Sequence, residues 1–181
     1  MGEPLNTLFA KNEMIRKETD KDIQDIRKLN DLVFSGSVEG AIVDAIRNQS
    51  PESLSLVAVK NEEIIGHIFF SPVEIAGLDG IQAMGLGPMA VLPEYQKQGI
   101  GTALINEGIK QLQQLGCAIV VVLGHAEYYP KFGFSPASGH GLQCQWDGVP
   151  DNAFMVRFLR KEFDGVVRGT VKYMNEFNEA V

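Results

Sequence analysis

The stretch 81–123 constrains the fold more than any other part of this chain. Residues 81–91 form an apolar strand that carries Gly85, Gly87 and Pro88. After a turn, Ile100, Leu104, Ile105, Ile109, Leu112 and Leu115 recur at helical spacing. Gly116 closes that helix as a C-terminal cap. Residues 118–123 are a continuous β-branched run, which marks a central strand buried on both faces. A strand, a helix and a strand in this order make a right-handed crossover between parallel neighbours.

Around this unit the chain reads as antiparallel. Residues 14–18 are a first strand, followed by a helix that Thr19 or Asp20 caps, with Ile23, Ile26, Leu29 and Val33 on one face. A second helix over 38–48 turns Ile42, Val43 and Ile46 inward. Strands at 54–60 and 64–71, joined by Asn61-Glu62-Glu63, make a hairpin. A turn falls at 77–80 and a short helix at 127–132, with later strands at 153–160 and 169–174. Residues 135–150 read as loop, and 1–13 as a loose leader before a single domain over 14–175. The order describes a mixed α/β (α+β) domain with helices over one face of its sheet.

Composition excludes several classes. A net charge of −7 opposes phosphate-backbone binding, so no nucleic-acid partner is expected. Two cysteines, Cys117 and Cys144, and three histidines offer no metal-ligand spacing, so no metal is expected. No apolar run reaches membrane-spanning length and no secretion signal opens the chain, which points to a cytoplasmic protein without a membrane partner.

The richest motif lies between the strand and the helix: Pro93-Glu94-Tyr95-Gln96-Lys97-Gln98-Gly99-Ile100-Gly101-Thr102. A helix start carries unpaired N–H groups and partial positive charge, and glycines there let a ligand approach the backbone. The segment is therefore either an anion site or a turn whose glycines serve close packing. The Walker pattern is absent, and Gly99-x-Gly101-x-x-Leu104 misses the third position of the dinucleotide fingerprint. Gly85-x-Gly87-x-x-Ala90 matches that fingerprint, but Val91-Leu92-Pro93 follows it instead of a helix.

Gln96-Lys97-Gln98-Gly99-Ile100-Gly101 fits [Gln/Arg]-x-x-Gly-x-[Gly/Ala] and resembles the coenzyme A signature of the GNAT N-acetyltransferase superfamily. The element order over 14–134 looks similar, and the tail resembles a bacterial subgroup of small members. The resemblance implies an acyl-CoA N-acyltransferase fold: a mostly antiparallel sheet with a splayed parallel pair and helices on both faces. It implies that backbone amides from Lys97 to Thr102 hold the pyrophosphate of acetyl-CoA. Pro88 removes a ladder donor and suggests that its strand departs from a neighbour. In the family, the stretch Met89, Ala90 and Val91 would then pair with the pantetheine amides through Met89 and Val91.

Tyr129-x-x-x-Gly133-Phe134 looks like a second family signature. It implies Tyr129 as the general acid that protonates the departing thiolate, with Tyr128 as the alternative. The Asn that many members carry just upstream is replaced by Gly124-His125-Ala126. His125 and Glu127 are candidate bases, with His67, Glu74 and Glu94 behind them, and water alone can serve. The implied reaction is direct attack of a primary amine, of a small molecule, on acetyl-CoA. The alternatives are an acyl-CoA sensor without turnover and a protein lysine or N-terminal acetyltransferase. The acceptor pocket is expected from 33–47 and 135–151, and the late strands leave monomer and homodimer open.

Overall fold

The computed structural model describes residues 13–78 and 80–180. The expected leader lies outside them except for Glu13, which already opens β1 (Glu13–Lys17). The chain continues through α1 (Ile23–Val33), α2 (Val38–Gln49), β2 (Leu54–Lys60) and β3 (Glu63–Pro72). Next come β4 (Glu74–Ile75), β5 (Ala83–Val91), α3 (Ile100–Gln114) and β6 (Ile119–Leu123). The last strands are β7 (Ser135–Pro136), β8 (Leu142–Cys144), β9 (Phe154–Phe158) and β10 (Gly169–Lys172).

Local chemistry accounts for the boundaries. Thr19 N–H and Oγ1 both donate to Asp22 Oδ2, at 2.7 and 2.8 Å, and Arg16 clamps the same carboxylate at 2.6 Å. This closes the start of α1 through a 3-10 turn over Asp20–Asp22. The β2–β3 hairpin turns on Asn61 and Glu62, whose φ of 48° and 69° match the twist of the flanking strands.

The main sheet runs β1-β2-β3-β5-β6-β9-β7, and only β5 and β6 are parallel. Helix α3 covers one face, where a Cβ at Gly66 would stand 3.1 Å from Ile100 and Leu104. Helix α1 covers the other face over β3, where Asn30 meets His67, and α2 packs against α1. Helices therefore lie on both faces, not on one as element order implies. The pleat decides this, because Gly66 and Phe70 of β3 face α3 while the alternate His67 faces α1.

Over β5, β6 and β9 the face opposite α3 is covered by a second sheet, β4-β10-β8. Val73, Ile75, Leu142 and Val171 pack there on Ala83, Ile119 and Val121. The stretch 135–150 is thus not only loop, since β7 and β8 lie in it. The strands left free to pair between subunits take partners within the chain: β9 lies between β6 and β7, and β10 between β4 and β8.

The α3 packing yields a stability test. A Cβ at Gly108 would lie 2.4 Å from the Phe70 ring, which is fully buried. Overpacking of about 1–3 kcal/mol exceeds the helix propensity that alanine adds, about 1 kcal/mol. Gly108→Ala is expected to lower Tm by about 2–6 °C. A melt at or above the parental temperature would contradict this packing.

Candidate active site

Strands β5 and β6 pair from Ala83↔Ile119 to Leu86↔Val122 and no further. Strand β5 meanwhile stays on β3 to the pair Gly66↔Val91. The sheet therefore forks after Leu86. The β3 register shifts between Ile68 and Phe70, so Gly87 and Pro88 together oppose one residue in a bulge. Pro88 sits at the bulge, where the missing N–H costs no ladder bond. Leu92 N–H donates to Ile65 O at 3.0 Å. By strand alternation Ala90 also faces β3, so Met89 and Val91 turn their peptide groups into the fork. Val91 O accepts a bond from Gln96 Nε2 at 3.0 Å.

The helix start lies beside the fork. Lys97 has φ 60° and Gly99, the residue before α3, has φ 90°. A Cβ on Gly99 would meet nothing within 4 Å, so its surface is open. The first helical bond runs from Ala103 N–H to Gly99 O at 3.0 Å. The N–H groups of Ile100, Gly101 and Thr102 consequently have no acceptor within the helix. No acidic side chain stands in that first turn.

A cavity of about 740 Å³ joins the two features. Met89 and Val91 line it from the fork, and Gln96, Lys97, Gly99, Gly101 and Thr102 from the helix start. Three other expected residues are off its wall. Ala90 and Ile100 are buried in the core, and Gln98 is exposed with its amide on Glu94 O at 2.7 Å.

Tyr128 and Tyr129 both line this cavity, their rings edge to face with centroids 5.2 Å apart. Burial, and then the neighbouring Tyr128, pushes the Tyr129 phenol well above its ordinary range. It stays protonated and able to donate at neutral pH. Burial also raises Tyr128, with an opposing hydrogen bond to Thr102. The Tyr128 hydroxyl reaches the helix start, 2.7 Å from where a Cβ on Gly101 would be. Gly124 now has a physical reason: a Cβ there would stand 2.4 Å from Tyr129 Cε2. A side chain at this position would displace the buried ring.

A family model, the acetyltransferase (GNAT) family, matches residues 23–134. The chain belongs to the GNAT family. Within it, the chain is similar to the Escherichia coli K12 protein named uncharacterized N-acetyltransferase YhbS. The two are 37% identical over 166 residues, which is 91% of this chain and 98% of that one. It is also 41% identical over 125 residues to the Escherichia coli K12 uncharacterized N-acetyltransferase YjhQ, covering 67% of this chain and 69% of that one. Among solved structures, Escherichia coli YhbS in complex with CoA superposes with a TM-score of 0.88 at 36% identity, over 93% of each chain. A GNAT family acetyltransferase from Brucella melitensis in complex with acetyl-CoA superposes at 0.77 with 35% identity, over 93% of this chain and 99% of that one.

In this GNAT chain the candidate bases separate by position. His125 lines the cavity, whereas the exposed Glu74, Glu94 and Glu127 do not. His67 is fully buried. Asn30 Nδ2 donates to Ile26 O at 2.9 Å and faces His67 Nδ1 at 3.1 Å, which leaves Nδ1 as the acceptor. His67 Nε2 then donates to Ser55 Oγ at 3.0 Å, and Ser55 donates to Glu18. Both ring nitrogens are committed, and burial lowers the His67 pKa to about 3. A histidine depressed from about 6.5 stabilises the fold fully above that value, and loses this contribution as pH falls toward 3. Between pH 6.5 and 4 the loss is roughly 3 kcal/mol. Thermal melts are expected to show it, with a shallower slope in His67→Gln; a Tm that stays flat over this interval would contradict it.

The thiols offer no nucleophile here. Burial pushes Cys117 up to about 11, and Cys144 is raised for the same reason. Among the described residues, no three His, Cys, Asp or Glu side chains group as metal ligands, and no helix is long and apolar enough to cross a membrane.

The far end of the cavity shows residues that the motifs did not reveal. Phe34 and Glu39 line it from the α1–α2 region and Trp146 from the loop after β8, within the segments expected for the acceptor. Tyr173 and Phe177 come from beyond them. The segment Asn175–Glu179 packs against α2. Tyr173 and Phe177 follow no motif spacing, and only the return of the chain after β10 brings them to the cavity.

Proposed function

We propose that the chain transfers acetyl from acetyl-CoA to the primary amine of a small molecule by direct attack. The observation that carries this reading is the fork after Leu86 next to an open, glycine-bounded helix start. The peptide N–H groups from Lys97 to Thr102 hold the diphosphate, with Gln96 and Lys97 beside it. Met89 and Val91 pair with the pantetheine amides, and Ala90 keeps that segment on β3. The thioester then lies near the fork's closed end. An amide of the parted strand stabilises the oxyanion of the tetrahedral intermediate. Tyr129 donates its proton to the departing sulfur. Direct aminolysis of a thioester calls for no metal.

The complexes of two similar chains, one with CoA and one with acetyl-CoA, support the coenzyme assignment. The position of the Tyr129 ring over Gly124 favours an enzyme over a sensor, because the departure from the family's Asn makes room for the proposed acid. The segment Asn175–Glu179 packs against α2 beside the acceptor end, which supports a small acceptor over a protein tail.

The test is a thermal melt with acetyl-CoA, followed by free-thiol release across a panel of amines. At a hundredfold excess over Kd the coenzyme contributes about 2.7 kcal/mol, a Tm rise of roughly 5–10 °C. Release of thiol on addition of an amine completes the expected result. Stabilisation without turnover of any amine would leave the sensor, and no stabilisation would remove the coenzyme.

A further inference from the structure

Four buried side-chain polar atoms have no hydrogen-bond partner among the described residues: Asn30 Oδ1, Ser53 Oγ, Ser71 Oγ and Tyr173 Oη. Only Tyr173 belongs to a residue that lines the active-site cavity. It is 8% exposed. A buried hydroxyl without a partner is costly and calls for a reason, and at a cavity wall a ligand can supply the missing bond.

Its placement is specific. The ring crosses β5, with Cε1 2.6 Å from where a Cβ on Gly85 would be, so glycine is needed there for the tyrosine to fit. Gly85 directly precedes Leu86, the last β5 residue paired to β6. Tyr173 packs in the core on the second-sheet side, whereas Tyr129 packs in the core that contains α3. The two phenols thus flank the fork from opposite sides of the sheet. The Tyr173 ring stacks on Trp146 at 5.2 Å and meets Phe177 at 5.5 Å, and Phe34 adds a further aromatic side chain to the cavity wall. Among the described residues that line the cavity, Glu39 is the sole carboxylate.

We propose, resting on the acetyltransferase reading, that Tyr173 orients the attacking amine and that the acceptor is a primary amine carried on an aromatic or flat apolar body. On binding, a small tilt of the Tyr173 ring opens its buried oxygen to one N–H of the neutral amine, which directs the nitrogen lone pair at the thioester carbon. The amine nitrogen bonds to the carbonyl carbon, the carbon–sulfur bond breaks with its electron pair going to sulfur, and the amine's surplus proton leaves to solvent as the thiolate is protonated. The aromatic wall takes the apolar body, and Glu39 favours the ammonium form in which such amines arrive.

The experiment uses the full chain with acetyl-CoA and three groups of acceptors: phenethylamine, tyramine and tryptamine; spermidine; and a lysine peptide. The aromatic amines are expected to give the highest kcat/KM. Tyr173→Phe keeps the stacked ring, so it should lower kcat/KM for them by roughly tenfold or more and leave acetyl-CoA affinity unchanged. Removal of an unpaired buried hydroxyl should also raise Tm by about 2–4 °C. A purely structural tyrosine would show the reverse: a lower Tm and unaltered amine kinetics. Unchanged kcat/KM in the variant would overturn the role of Tyr173. Turnover of spermidine or the peptide in preference to the aromatic amines would overturn the acceptor class while leaving the acetyltransferase reading intact. Failure to bind acetyl-CoA, or to turn over any amine, would overturn both.

Discussion

Gly101→Asp is expected to abolish acetyl-CoA binding while the chain remains folded. The diphosphate in the proposed complex sits on the N–H groups that open α3, and position 101 lies among them. A carboxylate there meets like charge at close range. One pair of unit charges at 4 Å near a protein surface repels by about 4 kcal/mol, roughly a thousandfold in Kd. The fold has reason to tolerate the change. An acidic residue in the first turn of a helix is stabilising by about 0.3–1 kcal/mol, and α3 has none. The nearest atom to the new Cβ is the Tyr128 hydroxyl at 2.7 Å, the far end of a side chain that can tilt; next is the Met89 terminus at 3.6 Å. Calorimetry should therefore find no acetyl-CoA binding by a variant whose melt without coenzyme is unchanged or slightly higher. If Gly101→Asp keeps its coenzyme-dependent stabilisation, the diphosphate is not at this helix start.

Tyr129→Phe should preserve acetyl-CoA affinity and lower kcat by about a hundredfold or more, the usual worth of a positioned acid. Phenylalanine retains the edge-to-face contacts with Tyr128 and Phe134 and fills the space left by Gly124. The variant therefore separates proton donation from packing. Tyr128→Phe in parallel decides between the neighbours: if the second variant loses the rate and the first does not, the acid is Tyr128. Because burial raises the Tyr129 phenol, the acid form persists above the ordinary tyrosine range. Loss of rate from its deprotonation should thus appear only at strongly alkaline pH.

Much of this machinery was legible because it is local. The segment Gln96 to Gly101 marked a glycine-bounded helix start within six positions, and its resemblance to the family signature supplied the coenzyme expectation. Pro88 announced a departure from regular pairing, and β5 indeed leaves β6 next to it. The segments 33–47 and 135–151, expected to build the acceptor pocket, reach the cavity through Phe34, Glu39 and Trp146. The reason for Gly124 was not, because it depends on where the ring of Tyr129 turns. His67 already stood behind the other candidate bases as a strand residue, but its partners could not be read: Asn30 and Ser55, which commit both ring nitrogens, are 37 and 12 residues away.

The sequence alone determined the parallel crossover, the glycine-bounded helix start and the tyrosine that follows β6, because each is encoded by periodicity or spacing within a short stretch. Tertiary structure decided the rest. The strands of the second sheet are two to four residues long and carry no readable period. Their pairing joins β4, β8 and β10, which lie far apart between Glu74 and Lys172. That return places Tyr173 against Gly85. Contacts between residues so far apart exist only once the core has closed around them, and burial, not spacing, selects which polar groups meet.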